Sequence, residues 1–154
     1  MAENNVETVI RYYTDLLAHG EREAAGEVLA PGYVDHGIAA YEAGTEVFLE
    51  RLDEFERAFR NRLIVLEDVT ADGDQVVVHW IASLKHTGVF FGLAPTGAEI
   101  ETSGADVFRI EDGRIAERWN HESGLGLVDR LYLRAALSGV AEAAFWEPAV
   151  AAYH

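Results

Sequence analysis

The spacing of the apolar residues changes near residue 60, and this change restricts the chain to folds in which helices precede strands. In residues 6–17, apolar side chains recur every three or four positions, as they do on one face of a helix. Residues 21–30 and about 45–59 continue the helical pattern, with Pro31-Gly32 as a break between them. From Leu63 onward, β-branched and aromatic residues dominate. Helices followed by strands predict an α+β protein.

Four strand-like segments make up the second part of the chain: RLIVLEDV, DQVVVHWIASLKH, AEIETSGADVFRI and RIAERWNHES. Turn sequences connect them, namely Asp72-Gly73-Asp74, GLAPTG and Asp112-Gly113. We therefore expect a four-stranded antiparallel meander, strongly curved, with the N-terminal helices packed on one face. The Ala-rich segment after residue 131 is predicted to be helical until Pro148. It would cap the open end of the sheet or join a subunit interface.

Composition narrows the classes of partner. The 154 residues include 12 basic and 27 acidic side chains, and the net charge of −15 repels phosphate backbones and anionic lipids. We therefore expect neither nucleic acid nor a membrane as a partner. Because the chain has no cysteine, disulfides, thiolate metal sites and cysteine nucleophiles are excluded. The N-terminus shows no signal-peptide pattern and no apolar run is long enough to span a bilayer, so a soluble cytoplasmic protein is the default expectation.

Histidine is the side chain best suited to proton transfer at neutral pH, and four of the six histidines are candidates. His36 follows Asp35, but neighbouring residues on a strand point to opposite faces, so they are not automatically partners. His79 and His86 lie seven apart on the longest predicted strand and face opposite sides unless a bulge intervenes. His86 precedes a loop, where pocket rims usually form. None of the four candidates, which include His121, belongs to a compact metal-ligand motif such as two histidines four apart on a helix. We therefore expect no metal site.

The last strand carries the sharpest pattern, an imidazole beside a carboxylate at the strand end. Simple alternation places Ile115, Glu117, Trp119, His121 and Ser123 on one face and Arg118, Asn120 and Glu122 on the other. If Trp119 faces a pocket, so does His121. Glu122 then points outward unless the chain twists near Gly124 and Gly126. The pair is either an acid/base apparatus or a solvated turn with His121 in a hydrogen-bonded core position.

Several segments together resemble the SnoaL-like polyketide cyclases of the nuclear-transport-factor-2-like superfamily. The matching pieces are YVDHG (33–37), ADGDQVVVHW (71–80), HTGVFFGLAPTG (86–97), DVFRIEDGRIAERW (106–119) and the GLGL that follows. The resemblance implies a cone-shaped α+β barrel in which N-terminal helices and a curved antiparallel sheet enclose one deep, mostly apolar cavity. It also implies a cyclase domain, over residues 1–131, and a homodimer through the outer sheet face. Residues 132–154 exceed the family pattern, and we expect them to form a helical extension of the same domain.

Family members are known as cofactor-free cyclases that close rings in polyketide intermediates, usually by intramolecular aldol addition. This chemistry needs a base, a donor for the developing alkoxide and a cavity that shapes the substrate. The resemblance places His86 in the cavity. Together with the positions of the histidines and of Ser123, it leads us to expect a substrate-binding role for a further set of residues, although His79 stands where the family commonly has an arginine. These are Tyr13, Tyr33, His36, Phe48, His79, Arg109, Trp119 and Ser123.

One departure from the family pattern affects the expected chemistry directly. The usual acid/base is an aspartate four residues after Trp119, and here that position is Ser123. Either His121 takes over proton transfer, or Glu122 does, or aldol cyclisation has been lost. Our first hypothesis is a cofactor-free cyclase of a small, polyketide-like substrate, with His121 and Glu122 as acid/base residues and His86 as a polarising donor. The alternatives are an epoxide-opening hydrolase or pyran- or ether-forming cyclase, and a non-catalytic binding protein.

Overall fold

A computed structural model of the chain describes residues 2–37 and 41–138. Its helices are α1 (Ala2–Arg11), which continues as a π-helical segment (Tyr12–Ala18), α2 (Ala25–Val28) after a 3-10 turn, α3 (Thr45–Ala58) and α4 (Leu127–Ser138). The bounds of α3 agree with the helix predicted from about residue 45 to 59. Of the predicted C-terminal extension, residues 139–154 lie outside the described part of the chain. No described helix is both long and apolar enough to cross a bilayer.

The strands form one open, six-stranded sheet. They are β1 (Leu29–His36), β2 (Tyr41–Ala43), β3 (Phe59–Asp72), β4 (Gln75–His86), β5 (Glu99–Glu111) and β6 (Arg114–Glu122). The spatial order is β2-β1-β6-β5-β4-β3, so β2 and β3 are the two edges. The predicted α+β fold and the antiparallel meander of β3 to β6 are confirmed. The sheet is nevertheless mixed, because β1 pairs in parallel with β6. This strand begins at Leu29, before the Pro31-Gly32 break.

A bulge in β6 determines which of its side chains face inward. Ile115 pairs with Ile110 and Glu117 pairs with Arg109, so Ala116 is one extra residue without a partner on β5. Ile115 and Ala116 are both buried, at 0% and 6% exposure. An extra residue reverses the alternation of a strand beyond it. The inner face of β6 therefore continues from Ile115 to Arg118, rather than to Glu117.

The core consists of two apolar clusters between the helices and the inner face of the sheet. The larger one packs α1 and α3 on the middle of the sheet and contains Val9, Leu16, Phe48, Leu52, Val78, Trp80 and Phe108. The smaller one lies beneath α4 and contains Phe59, Leu84, Leu93, Leu127 and Leu131. Members of both clusters line a common cavity, which is where the two halves of the core meet.

Candidate functional site

A cavity of about 250 Å³ lies between the inner face of the sheet, the π-helical segment and α3. Most of its wall is apolar, supplied by residues such as Leu17, Phe48, Phe55, Ile64, Ala82 and Phe90. Its polar residues come mainly from β5 and β6. A predominantly apolar cleft with a few convergent polar groups is the usual form of a small-molecule site.

Asp106 of β5 is the most deeply buried carboxylate of the cavity, with 1% of its surface exposed. Its Oδ2 accepts a hydrogen bond from the Tyr13 hydroxyl at 2.5 Å. Its Oδ1 accepts from Arg118 Nη2 at 3.1 Å and from Asn120 Nδ2 at 2.8 Å. A buried carboxylate is tolerated only when it is paired and hydrogen-bonded, and three donors meet that condition here.

Arg118 joins Asp106 to a second carboxylate. Its Nη1 donates to both oxygens of Asp35, at 3.0 and 3.2 Å, and the Tyr33 hydroxyl donates to Asp35 Oδ2 at 2.7 Å. The guanidinium carbon also lies 5.6 Å from the centroid of the Tyr12 ring, within the range of a cation–π contact. One arginine thus holds two carboxylates at the polar end of the cavity, and we call this group the Asp35–Arg118–Asp106 bridge.

Burial and charge fix the protonation of the groups around this bridge. Burial alone opposes the charge of Arg118, but the nearby groups, Asp106 foremost, raise its pKa well above the ordinary value. Burial, reinforced by Asp106, raises the pKa of Tyr13. Burial also raises the pKa of Tyr33. Both tyrosines therefore stay protonated at neutral pH and donate to the carboxylates.

Glu122 ends β6 on the cavity wall and differs from Asp35 and Asp106 in its hydrogen bonding. Its Oε2 accepts from the Leu127 backbone N–H at 2.7 Å and from Thr102 Oγ1 at 3.3 Å. Among the described residues, none donates to its Oε1. Gly126 makes room for this carboxyl group, since a Cβ there would lie 3.1 Å from it. Leu127 begins α4, so this carboxyl group satisfies one of the unpaired backbone N–H groups at the N-terminus of that helix.

The outer face of the sheet holds several residues that the sequence placed in the pocket. His121 is exposed, and Trp119 stacks on His36 with ring centroids 5.1 Å apart. His36 Nε2 lies 2.7 Å from Glu117 Oε2, and Arg109 Nε donates to Glu117 Oε1 at 3.1 Å. The expectation that Trp119 and His121 face the cavity is wrong, because the bulge at Ala116 reverses the alternation. The hydrogen bond from His36 lowers the pKa of Glu117.

Three further predicted residues also lie away from the cavity wall. His79 is exposed and its Nδ1 is 3.8 Å from Asp68. His86 is fully buried, and its Nδ1 accepts from the Thr96 backbone N–H at 3.1 Å, so it anchors the loop after β4 instead of lining the cavity. Burial lowers the pKa of His86, which favours the neutral ring. Ser123 is exposed.

Other predictions agree with the structure in position. Tyr13 and Phe48 line the cavity, and Tyr33 is buried behind it with its hydroxyl on Asp35. Glu122 lines the cavity as well, and no twist of the strand end is needed to place it there. The catalytic and binding roles of these residues remain predictions.

Sequence reasoning missed the Asp35–Arg118–Asp106 bridge and Asn120. A signal existed for Asp106, because it lies in the buried alternation of β5 between Gly104 and Phe108. An acidic residue at a core position of a strand points to a functional pocket or a buried ion pair. For Arg118 and Asn120 the signal was hidden by the bulge. Among the described residues, no group of three or more His, Asp or Glu is arranged to hold a metal ion.

In the described part of the chain, a helical layer over an open mixed sheet encloses an apolar cavity with carboxylates at its polar end, which defines an α+β protein with an internal pocket. The family model described as SnoaL-like polyketide cyclase matches residues 7–131. The chain belongs to this family.

Solved structures with the same fold support the assignment. A protein from Jannaschia sp. CCS1, provisionally assigned as a SnoaL-like polyketide cyclase, shares 26% identity with a TM-score of 0.75, over 89% of this chain and 93% of that one. A provisionally assigned polyketide cyclase from Acidithiobacillus ferrooxidans shares 26%, with a TM-score of 0.74, over 86% and 96%. IdmH of Streptomyces antibioticus, assigned in the same way, shares 25%, with a TM-score of 0.68, over 82% and 97%. No curated protein matches the chain.

Proposed function

We propose that this protein is a cofactor-free acid/base cyclase that closes a ring in a polyketide-like intermediate, with Glu122 as the general base. One observation carries the proposal. Glu122 lies on the wall of a mostly apolar cavity, with Oε2 held by Thr102 and Leu127 and with no described donor on Oε1. A general base needs such a free oxygen on the side where the substrate lies.

Asp35 and Asp106, the two carboxylates of the bridge, suit a different role. Both oxygens of Asp106 and both oxygens of Asp35 already accept hydrogen bonds from Arg118, Asn120 or the tyrosines. A carboxylate with every oxygen occupied is a poor proton acceptor, since taking a proton would break a charge-assisted bond. The Asp35–Arg118–Asp106 bridge therefore gives the cavity a rigid polar end that orients the substrate.

The reaction needs no reagent other than a group in the cavity that takes up and returns a proton. Oε1 of Glu122 takes a proton from a carbon between two carbonyl groups, and the resulting enolate carbon attacks a third carbonyl of the same molecule. A carbon–carbon bond forms, and the electron pair of that carbonyl becomes an alkoxide. Glu122 returns its proton to the alkoxide, so the product is an isomer of the substrate. The apolar walls hold the two carbons near each other, which lowers the entropic cost of ring closure.

Proton exchange in a simple ketone tests the role of Glu122. α-Tetralone carries exchangeable protons beside its carbonyl, and deuterium incorporation in heavy water is measured by NMR. We expect the wild-type protein to catalyse this exchange and Glu122→Gln to slow it by about 10²- to 10⁴-fold. Glu101→Gln, on an exposed position of β5, is the matched control and should leave the rate unchanged.

Equal exchange rates in Glu122→Gln and the wild type would reject Glu122 as the base. If the wild-type protein binds α-tetralone without catalysing exchange, the third hypothesis, a non-catalytic binding protein, is favoured instead. Affinity measured in the same samples separates the two cases, because a lost base reduces turnover much more than binding.

The Asp35–Arg118–Asp106 bridge favours epoxide opening as a second candidate function. There, Glu122 Oε1 would take a proton from an attacking water or internal hydroxyl, whose oxygen bonds to an epoxide carbon as the C–O bond of the ring breaks. Arg118, held by Asp35 and Asp106, would donate from Nε to the epoxide oxygen, and Glu122 would return its proton to the alkoxide. Hydrolysis of styrene oxide tests this candidate. We expect Asp106→Asn to abolish any such hydrolysis, whereas activity retained in that variant would exclude the bridge as its origin.

A further inference from the structure

Trp80 of β4 carries a hydrogen-bond donor that nothing in the described structure satisfies. Only 8% of its surface is exposed, and its side chain lines the cavity. Its Nε1 is buried without a partner. The indole nitrogen can only donate, and a buried donor left unpaired is unfavourable. An acceptor supplied by a ligand would remove this penalty.

The position of Trp80 relates it directly to Glu122. Trp80 pairs with Gly104 on β5, and Gly104 pairs with Glu122 on β6, so the three residues form one row across the inner face of the sheet. A Cβ on Gly104 would lie 2.9 Å from Cζ2 of the indole and 3.0 Å from the Cα of Glu122. The indole and the start of the Glu122 side chain therefore share the space above a single glycine.

We propose that the Trp80 indole N–H binds the carbonyl oxygen of the substrate, next to the carbon from which Glu122 takes its proton. The inference rests on the proposed function. When that proton leaves, negative charge develops on the carbonyl oxygen, and a fixed donor in an apolar cavity stabilises such charge. Trp80 then makes the site selective for ketones over hydrocarbons of the same shape.

Arg118 Nε is also buried without a described partner, but the other two nitrogens of its guanidinium already donate to Asp35 and Asp106. Trp80 is the better candidate donor, because it lies in the same row of the sheet as Glu122. The substrate oxygen and the acidic C–H belong to adjacent atoms of one ketone, so donor and base must lie near each other. Trp80 and Glu122 are the two neighbours of Gly104 in this row, and both line the cavity.

Indole N–H resonances give a direct test that does not depend on turnover. The chain has three tryptophans, and Trp80→Phe assigns the Trp80 signal in an ¹⁵N–¹H spectrum. α-Tetralone is the ketone probe, and tetralin, which lacks the oxygen, is its control. We expect α-tetralone, but not tetralin, to move the Trp80 N–H proton downfield. Trp80→Phe should weaken α-tetralone binding about three- to tenfold, as for one neutral hydrogen bond, and leave tetralin binding unchanged.

Trp119→Phe is the matched control, because Trp119 lies on the outer face against His36 and should affect neither probe. The proposal would be overturned if both probes moved the Trp80 N–H resonance equally, or if Trp80→Phe lost affinity for both probes equally. Failure of α-tetralone to bind the wild-type protein would also overturn it. Tetralin binding by Trp80→Phe shows that the variant keeps its cavity. If α-tetralone shifts the Trp80 N–H resonance but Glu122→Gln exchanges protons at the wild-type rate, the proposed base is rejected and the donor is kept. If Glu122→Gln slows exchange but the Trp80 resonance does not shift, only the role of Trp80 is rejected.

Discussion

The two faces of β6 carry similar residue types in different surroundings. On the inner face, Arg118 and Glu122 line an apolar cavity, and Arg118 pairs with the buried Asp106 and the partly buried Asp35. On the outer face, Glu117 binds His36 and Arg109, which are partly exposed. By composition the outer imidazole–carboxylate pair is the more obvious acid/base site. The difference teaches that burial and a cavity, more than residue type, determine where chemistry is possible.

Removing one partner from each face should give the largest contrast. Asp106→Ala leaves the largely buried Arg118 with a single carboxylate, and we expect it to lower the free energy of unfolding by about 3–5 kcal/mol. Glu117→Ala removes a partly exposed carboxylate and should cost about 0–1 kcal/mol. Urea unfolding of both variants measures the contrast. Similar losses in the two variants would show that the inner face is not the more strongly coupled one.

Gly104, the middle residue of the row with Trp80 and Glu122, offers a second test of how tightly the inner face is packed. A Cβ there would lie 2.5 Å from the His121 carbonyl oxygen and 2.9 Å from Trp80, so Gly104→Ala should cost about 1–3 kcal/mol through overpacking. Gly26→Ala is the control, since no atom lies within 4 Å of its added Cβ in α2 and the change should stabilise by about 0.5–1 kcal/mol. Thermal unfolding reports both. A neutral Gly104→Ala would mean that both the Trp80 ring and the backbone of β6 at His121 can shift to make room.

The sequence predicted the elements of the fold better than the site. The period of residues 45–59 predicted α3, and the turn residues predicted the meander, because both are local signals. The parallel pairing of β1 with β6 joins residues about 80 positions apart, as in Asp35 with Arg118, and has no local signal. The bulge at Ala116 leaves no mark in composition, yet it decides which residues of β6 enter the cavity.

The outer face should respond to pH through Glu117. The hydrogen bond from His36 lowers the pKa of Glu117 below its unfolded value, so this carboxylate contributes stability above the unfolded pKa and loses it as the pH falls through the folded one. For glutamate this window lies below about pH 4.3. We expect Glu117→Gln to flatten part of the decline in unfolding free energy there, by about 0–1 kcal/mol. An identical pH profile for wild type and variant would contradict this effect.

The smallest expected effect comes from restoring the family aspartate. Ser123 is exposed beyond the bulge, and its backbone N–H is already bonded to the Ser103 carbonyl, so an aspartate at this position points away from the cavity. Surface changes of this kind usually alter free energies by about 0.5 kcal/mol or less, and we expect Ser123→Asp to change the α-tetralone exchange rate by no more than about twofold. His121→Ala, also on the exposed side, should do the same. A large gain from Ser123→Asp would show that the strand end turns inward when substrate is bound, and Glu122 would then share its role with position 123.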